Sequence, residues 1–529
     1  MVANLKSNPL KLELNKKGIN TVYNRTIFTN NKNENHNDLS LRLSFFCLMF
    51  FVALSSLFDA GLVYGQDYKS WTVDNTLSAK KDEIMKAMKQ GNSPAANRVE
   101  WNAFFDKFYF ARWTVEANLG FVQTYSRELL SRDLKEATGG ARTFFLAKSL
   151  ETLAKIANDK SLNPATRYNA ILTIGQLASK ETANNEPPAF YEDALKQLVA
   201  IHDNNATPEY IRVGALIGIV RHAQAGINND DFKNNKVPAI FIKTIKSNSP
   251  AAEQDADERA KLDWSRIRAF DGLAALKVVN QNVITVVKDV IRSDVESFEM
   301  RCRAARLLGE IDLQSAVDKI KPAEFGQISN LLIALAKSYC DSEISKIDAI
   351  VNKAFPAGQP NNPAFTGRQP VDSIGGAGGT SRIGGVDGTG NEITEPPFAS
   401  LPINAQREII SIVQRVKSNT LYFMLYGMRG PKLSGPTSTG IVSVLKAEDQ
   451  NWEKLNKTTK SLAGLIEILD KGKPETTATG TARPTRPNPA TRGQYKVNFT
   501  IIREALQKCS DDLNEIITGK KTEPAQPKT

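Results

Sequence analysis

The sequence SFEMRCRAARLLGEIDL, at residues 297–313, decides how the rest of this chain is organised. Its apolar residues are spaced three and four apart, which places them on one face of an α-helix. These residues are Ala304, Ala305, Leu307, Leu308 and Ile311. The stretch therefore predicts an amphipathic helix that packs against other helices.

Three earlier segments repeat this helix in the same register. Each of the four has an Arg, an Ala three residues later and a large apolar residue seven residues later. The Arg residues follow one another at steps of 45, 54 and 35 residues, which bracket the period of roughly 40–47 residues typical of two-helix repeats. The small residue lets neighbouring helices approach closely, and the apolar residue fills the space between layers. The repeated positions are Arg167, Ala170 and Ile174; Arg212, Ala215 and Ile219; Arg266, Ala269 and Leu273; and Arg301, Ala304 and Leu308.

Another helix is predicted before each of these four. The predicted ranges are 143–157, 191–201, 237–246 and 282–292. This pattern resembles the HEAT-repeat family, whose second helix carries an Arg, a small residue and an apolar run at this spacing. The resemblance covers residues 141–313 and implies an α-solenoid of stacked helix pairs. It also implies that the four Arg residues connect one repeat to the next, in preference to binding a ligand.

The third unit departs from the pattern through an insertion at residues 247–263. Insertions in repeat proteins project as loops on one face, often the binding face. This one contains an acidic cluster and ends beside a Trp, so an aromatic anchor would lie next to a charged rim. A tolerated surface loop is the alternative, and the cluster lacks the Gly and the ligand spacing of a calcium loop. The hypothetical partner-binding residues are Glu253, Asp255, Asp257, Glu258 and Trp264.

Residues 1–65 are predicted to be an extended signal peptide. Arg42 precedes an apolar run at residues 43–58, which is short for a membrane span and normal for a signal-peptide core. The small residues Val63 and Gly65 predict cleavage after Gly65. We therefore expect an exported protein that is periplasmic, lies elsewhere outside the cytoplasm, or is secreted. An uncleaved signal anchor is the alternative, and only in that case do we expect membrane attachment.

Charge and cysteine content narrow the class of protein. The net charge is +11 with a pI near 9.2, but no dense Lys/Arg stripe occurs, which favours a solvated basic surface over a nucleic-acid interface. Three Cys follow the leader, too few for a disulfide-built fold. Cys302 and Cys340 fall on neighbouring predicted helices, either as a pair or, preferably, as buried thiols. Cys509 is the third.

The sequence contains little that points to catalysis or to a cofactor. It has no HExxH, CxxC or GxSxG motif, and the Gly-rich tract at residues 375–390 lacks the Gly-Lys-Ser/Thr of a phosphate loop. Two His follow the leader, His202 and His222, and neither has a neighbour that would orient it for proton transfer. His202 ends a predicted helix, where a cation is favoured by the helix dipole. We expect no catalytic residue, metal or cofactor.

Composition divides the chain into segments. An aromatic cluster, FFDKFYFARW at residues 104–113, is predicted to pack a helical cap against the first repeat or, alternatively, to form a docking patch. Helices at 327–339 and 344–355 are predicted to form a fifth, degenerate unit. Three more helices at 404–426, 448–470 and 497–517 form a small bundle or pack on the repeats. The predicted order is leader 1–65, helical cap 66–140, HEAT-like repeats 141–355, Gly/Pro-rich disordered linker 356–400, helical region 401–470, Pro/Thr/Arg-rich linker 471–494, C-terminal helix 495–518 and disordered tail 519–529.

The predicted fold class is therefore all-α: a HEAT-like α-solenoid with an N-terminal helical cap, followed by disordered linkers and a small C-terminal helical region. The predicted function is that of an exported, non-enzymatic scaffold that binds another protein. The alternative is a basic surface that binds nucleic acid or an anionic cell-envelope polymer. Only a polyanion binder loses affinity steeply and log-linearly with salt.

Overall fold

A computed structural model describes the greater part of the chain after the predicted leader. The described residues are 68–92, 97–180, 188–247, 256–354, 382–386, 392–394, 402–416, 421–431, 439–446, 449–471 and 499–520. Residues Lys69–Thr529 form one compact unit, and the other unit, Met1–Tyr68, lies outside the described residues except for Tyr68. The predicted leader, most of both predicted linkers and most of the tail also lie outside them.

The described residues are mostly helical, which confirms the all-α class. Their strands form two short antiparallel pairs. Strand β1 (Ala178–Lys180) pairs with β2 (Ala189–Phe190), and β3 (Arg382–Val386) pairs with β4 (Glu392–Thr394). The second pair lies inside the segment predicted as a disordered linker. The β-branched residues Ile383, Val386 and Ile393 favour extended backbone within that Gly-rich tract.

The region predicted as a cap consists of short helices whose aromatic side chains face inward. These helices are α1 (Lys81–Lys89), α2 (Arg98–Phe104), α3 (Val122–Glu128) and α4 (Leu134–Glu136). Phe105 stacks on Phe145 of the next helix with ring centroids 4.8 Å apart, and Tyr109 meets the same ring edge-on at 5.8 Å. Phe110 and Trp113 are fully buried as well. These rings are therefore core residues and are not available as a docking patch.

Four pairs of helices follow the cap. The first helices are α5 (Gly139–Asn158), α7 (Glu192–Asp203), α9 (Val237–Ser247) and α11 (Gln281–Arg292). The second helices are α6 (Pro164–Ile174), α8 (Glu209–Ala225), α10 (Ala256–Leu276) and α12 (Phe298–Glu310). The two helices of each pair pack together, α6, α8, α10 and α12 pack in sequence, and α7, α9 and α11 do the same. The pairs thus form two layers.

Polar residues in the links start several of these helices. The Asn163 side chain accepts a hydrogen bond from the backbone N–H of Ala165, and Pro164 between them occupies the first turn of α6. Ser297 caps α12 in the same way through the N–H of Met300. Behind these caps, the repeated Ala and large apolar residues are all buried between helices. The short links therefore set each helix with its apolar face inward.

Helix α13 (Pro322–Ala354) is continuous where the sequence predicts two helices. The predicted break between residues 339 and 344 is wrong, because the segment between them contains neither Gly nor Pro. The buried face also continues through it, with Tyr339, Cys340 and Glu343 enclosed. This long helix supplies the surface on which the C-terminal region packs.

The C-terminal helices pack on the repeats. They are α14 (Ile403–Arg415), α15 (Leu421–Arg429), α16 (Gln450–Lys471) and α17 (Phe499–Thr518). Helix α15 packs on α12 and also contacts α13, whereas α14, α16 and α17 pack on α13. The helix predicted at 404–426 corresponds to α14 and α15, and residues 417–420 between them lie outside the described residues. Of the two arrangements that the sequence left open for the C-terminal helices, packing on the repeats is the one observed.

Candidate protein-binding face

Three of the four repeated Arg residues bond to the first helix of their own pair. The Nε of Arg167 donates to the carbonyl of Ala157 at 3.1 Å, and the Nε of Arg301 donates to that of Ile291 at 2.9 Å. Both carbonyls lie in the last turn of a helix, where they have no partner within the helix and carry partial negative charge. Arg266 bonds in the same way to the carbonyl of Ile245 at 3.0 Å.

Two of these Arg residues also connect neighbouring pairs. Arg266 is almost fully buried and makes a two-pronged ion pair with Glu296, which lies in the link between α11 and α12. The guanidinium of Arg167 lies 5.6 Å from the ring centre of Tyr210 on α8. The connection between repeats implied by the HEAT resemblance is therefore present at these two positions, alongside the bond within the pair. The guanidinium groups of both residues are therefore engaged in contacts within the fold.

The second pair departs from this arrangement. The Nε of Arg212 has no hydrogen-bond partner among the described residues. The Nδ1 of the nearby His202 likewise has no hydrogen-bond partner in the described part of the chain, and burial lowers the pKa of this residue to about 4. The cation expected at the end of that helix is thus a neutral imidazole at pH 7. Burial lowers the pKa of His222 to about 4 as well, and its ring packs 4.9 Å from that of Phe190.

The insertion in the third pair is shorter as a loop than predicted. Helix α10 begins at Ala256, so residues 256–263 are helical and the predicted loop through residue 263 is wrong. Asp257 and Glu258 lie in the first turn of α10, where the helix dipole favours acidic residues. Their side chains lie outside the described part of the structure. Glu253 and Asp255 lie outside the described residues altogether.

Trp264 is on the surface of α10 and is 39% exposed. The guanidinium of Arg268, one turn further along, lies 5.5 Å from the Trp264 ring centre. Arg268 also pairs with Asp271 at 3.0 Å, with both side chains partly exposed. The three residues form a row of alternating aromatic, cationic and anionic character, which we call the α10 row. The sequence singled out Trp264 but missed its two neighbours.

The corresponding surface of α12 is covered by another helix. Arg303 and Arg306 occupy the positions of Arg268 and Asp271 relative to the repeated Arg. Their guanidinium groups lie 4.8 and 5.0 Å from the ring centre of Phe423 on α15. An aromatic side chain presented by a helix therefore rests on this face of the second-helix layer.

Two glycines allow that helix to lie close. A Cβ added at Gly427 of α15 would come within 2.0 Å of the Ala305 carbonyl oxygen, and one added at Gly309 of α12 within 2.1 Å of the Tyr426 carbonyl oxygen. Each helix thus has a glycine where the backbone of the other passes. The pattern was present in the sequence, but a single glycine in a helix does not identify the helix that crosses it.

The described residues contain no cluster of three or more His, Cys, Asp and Glu side chains able to hold a metal ion. None of the helices among them is both long enough and apolar enough to cross a membrane. Comparison of the chain with protein-family models, with curated proteins and with solved structures finds no match.

Proposed function

We propose that this chain is an exported, non-enzymatic HEAT-like α-solenoid that binds a helical segment of a partner protein on the second-helix face of α10. The solenoid assignment is supported by the shared register of four helix pairs and by their packing in two layers. Export is inferred from the predicted signal peptide alone.

The observation that carries the binding proposal is the packing of α15 on α12. There the chain covers the face with its own helix, placing Phe423 on Arg303 and Arg306. At the matching positions of α10, Arg268 and Asp271 are partly exposed, and Trp264 beside Arg268 is exposed as well. A partner helix that presents an apolar or aromatic side chain would remove Trp264 from water, and buried Trp and Arg side chains dominate many protein interfaces.

The test is photocrosslinking of the mature protein with a benzophenone amino acid at residue 267, beside the row, in its native extracytoplasmic fraction. Trp264→Ala should weaken capture of the crosslinked partner by about tenfold or more, the effect of losing an interface anchor. Phe121→Ala is the matched control, because Phe121 is an exposed aromatic on the cap, at 56% exposure.

Equal capture by Trp264→Ala and Phe121→Ala would move the binding face elsewhere. A salt titration of the captured complex separates the alternative function. A steep log-linear loss of binding with salt, together with a nucleic acid or an anionic polymer as the captured species, would favour the polyanion binder.

A further inference from the structure

Cys340 and Cys509 are brought together by the packing of the last helix on α13. Both side chains are buried. The residues next to them also bond across the same two helices: Ser510 donates a hydrogen bond to Asp341. About two turns away, Arg503 reaches Asp348 with nitrogen–oxygen distances of 2.6 and 3.1 Å. These bonds hold the two cysteines opposite each other.

The two thiols contact each other directly. The Cys340 thiol donates a hydrogen bond to the sulfur of Cys509, which raises the pKa of Cys340 and lowers the pKa of Cys509. The hydroxyl of Ser461 on α16 lies 3.4 Å from the Cys509 sulfur, which also lowers the pKa of Cys509, and 3.0 Å from Asp512, whose charge raises it. The first proton lost by the pair therefore comes from Cys509, which makes it the nucleophile.

Cys509 lines a groove between α16 and α17. The groove has a volume of about 660 Å³ and is bordered by Lys454, Lys460 and Lys508. Glu453, Asp512 and Glu515 also line the groove, so its charge is mixed and does not select the reagent. Cys302 differs from this pair, because it is fully buried on α12 and burial raises its pKa.

We propose that Cys340 and Cys509 form a disulfide through exchange with a small-molecule disulfide. The Cys509 thiolate attacks one sulfur of the reagent, forming a mixed disulfide and releasing one thiolate. Cys340 then gives its proton to the thiolate released in the first step and attacks the Cys509 sulfur, which releases the second thiolate. Two protein thiols are oxidised, and one reagent disulfide is reduced to two thiols. An extracytoplasmic location would supply the oxidising conditions in which such bonds persist.

The bond would fasten α17 to α13 across a large part of the chain. The neighbouring pair Ser510 and Asp341 is separated by 169 residues. Closing a loop of that length lowers the entropy of the unfolded chain, so the bond should raise the melting temperature. The disulfide also joins a different pair from Cys302 and Cys340, which the sequence placed on neighbouring helices. This inference does not depend on partner binding.

The experiment equilibrates the folded full chain with glutathione disulfide, alkylates remaining thiols in denaturant and identifies the peptides by mass spectrometry. We expect one linked peptide pair containing Cys340 and Cys509, with Cys302 alkylated. Alkylation of both Cys340 and Cys509, a persistent glutathione adduct on Cys509, or a bond from Cys302 to either would overturn the proposal. This measurement needs no variant and so does not depend on a variant folding.

Variants add a thermal measurement. Oxidation should raise the melting temperature by roughly 5 °C in the unaltered chain and in the matched control Cys302→Ser. The same treatment should leave Cys340→Ser and Cys509→Ser unchanged. A rise of equal size in Cys509→Ser would show that the gain comes from another source and would contradict the proposal.

Discussion

Helices α10 and α12 are built on the same repeated positions but differ in what covers them. Each has its repeated Arg bonded to the preceding helix, and each has a buried Ala and a buried Leu at the repeated spacing. Above that shared frame, α12 carries α15 with Phe423 resting on two arginines, whereas Trp264 and Arg268 of α10 are partly exposed. The repeated residues therefore determine how the inner face of each helix packs. Whether its outer face is covered or exposed depends on the rest of the chain.

Because the inner faces are alike, a charge placed there should damage both helices equally, with the largest effect expected. Ala304→Asp and Ala269→Asp each put a carboxylate where a fully buried methyl now lies. An unpaired buried charge costs about 3–5 kcal/mol, a large part of a domain's stability. Thermal unfolding followed by circular dichroism measures it, with the exposed Ala260→Asp on α10 as control.

A melting temperature within a few degrees of the unaltered protein for either buried variant would show that the shared register is wrong. A large loss at Ala304 alone would show that α12 depends on its covering helix more than on the repeat frame.

The covering of α12 can be broken at its closest point. Gly427→Ala would force a methyl group to within 2.0 Å of the Ala305 carbonyl oxygen, so α15 must shift away from α12. Such overpacking costs about 1–3 kcal/mol. Gly464→Ala on α16 is the matched control, because a Cβ there meets nothing within 4 Å. Alanine is a better helix former than glycine, so this control should be neutral or slightly stabilising.

Chemical denaturation of the two variants gives the difference in free energy of unfolding. Equal stability of Gly427→Ala and Gly464→Ala would contradict the close crossing of α15 and α12. Faster amide exchange in α12 of Gly427→Ala would show that moving α15 away exposes the outer face of α12 to water, as the outer face of α10 already is.

Mild acid should produce the smallest effect on stability. It should act on the second helix pair, α7 and α8, so α10 and α12 serve as the reference. The pKa values of His202 and His222 are about 4 in the folded protein, because burial disfavours the charged form. The unfolded chain takes up these protons near pH 6.5. Stability is therefore fully present above pH 6.5 and is lost as the pH falls toward 4, by roughly 1 kcal/mol from each His at pH 5.5.

The measurement is the drop in melting temperature between pH 7 and pH 5.5 for the unaltered protein and for the double variant His202→Gln, His222→Gln. The drop should shrink in the variant. An equal drop in both proteins would assign the acid sensitivity to other groups.

The helical periodicity of the sequence located the helix pairs closely, because a buried helix face requires an apolar residue every three or four positions. The first helix predicted at residues 237–246 occurs as Val237–Ser247. One error falls where no such pattern exists. Residues 256–263 are too polar to show a buried face and so looked like a loop, although they begin α10.

What the sequence determined by itself is which side of each helix is buried, since that depends on the spacing of residues along one helix. Only the tertiary structure decided which helix lies against that side. Phe423 over Arg303, Cys340 beside Cys509 and Glu296 against Arg266 join distant parts of the chain. Each of these contacts depends on the direction in which two helices cross, and an apolar stripe is compatible with many crossings. The physical reason is that hydrophobic burial is not directional, whereas the ion pair, the thiol pair and the glycine crossing each require one geometry.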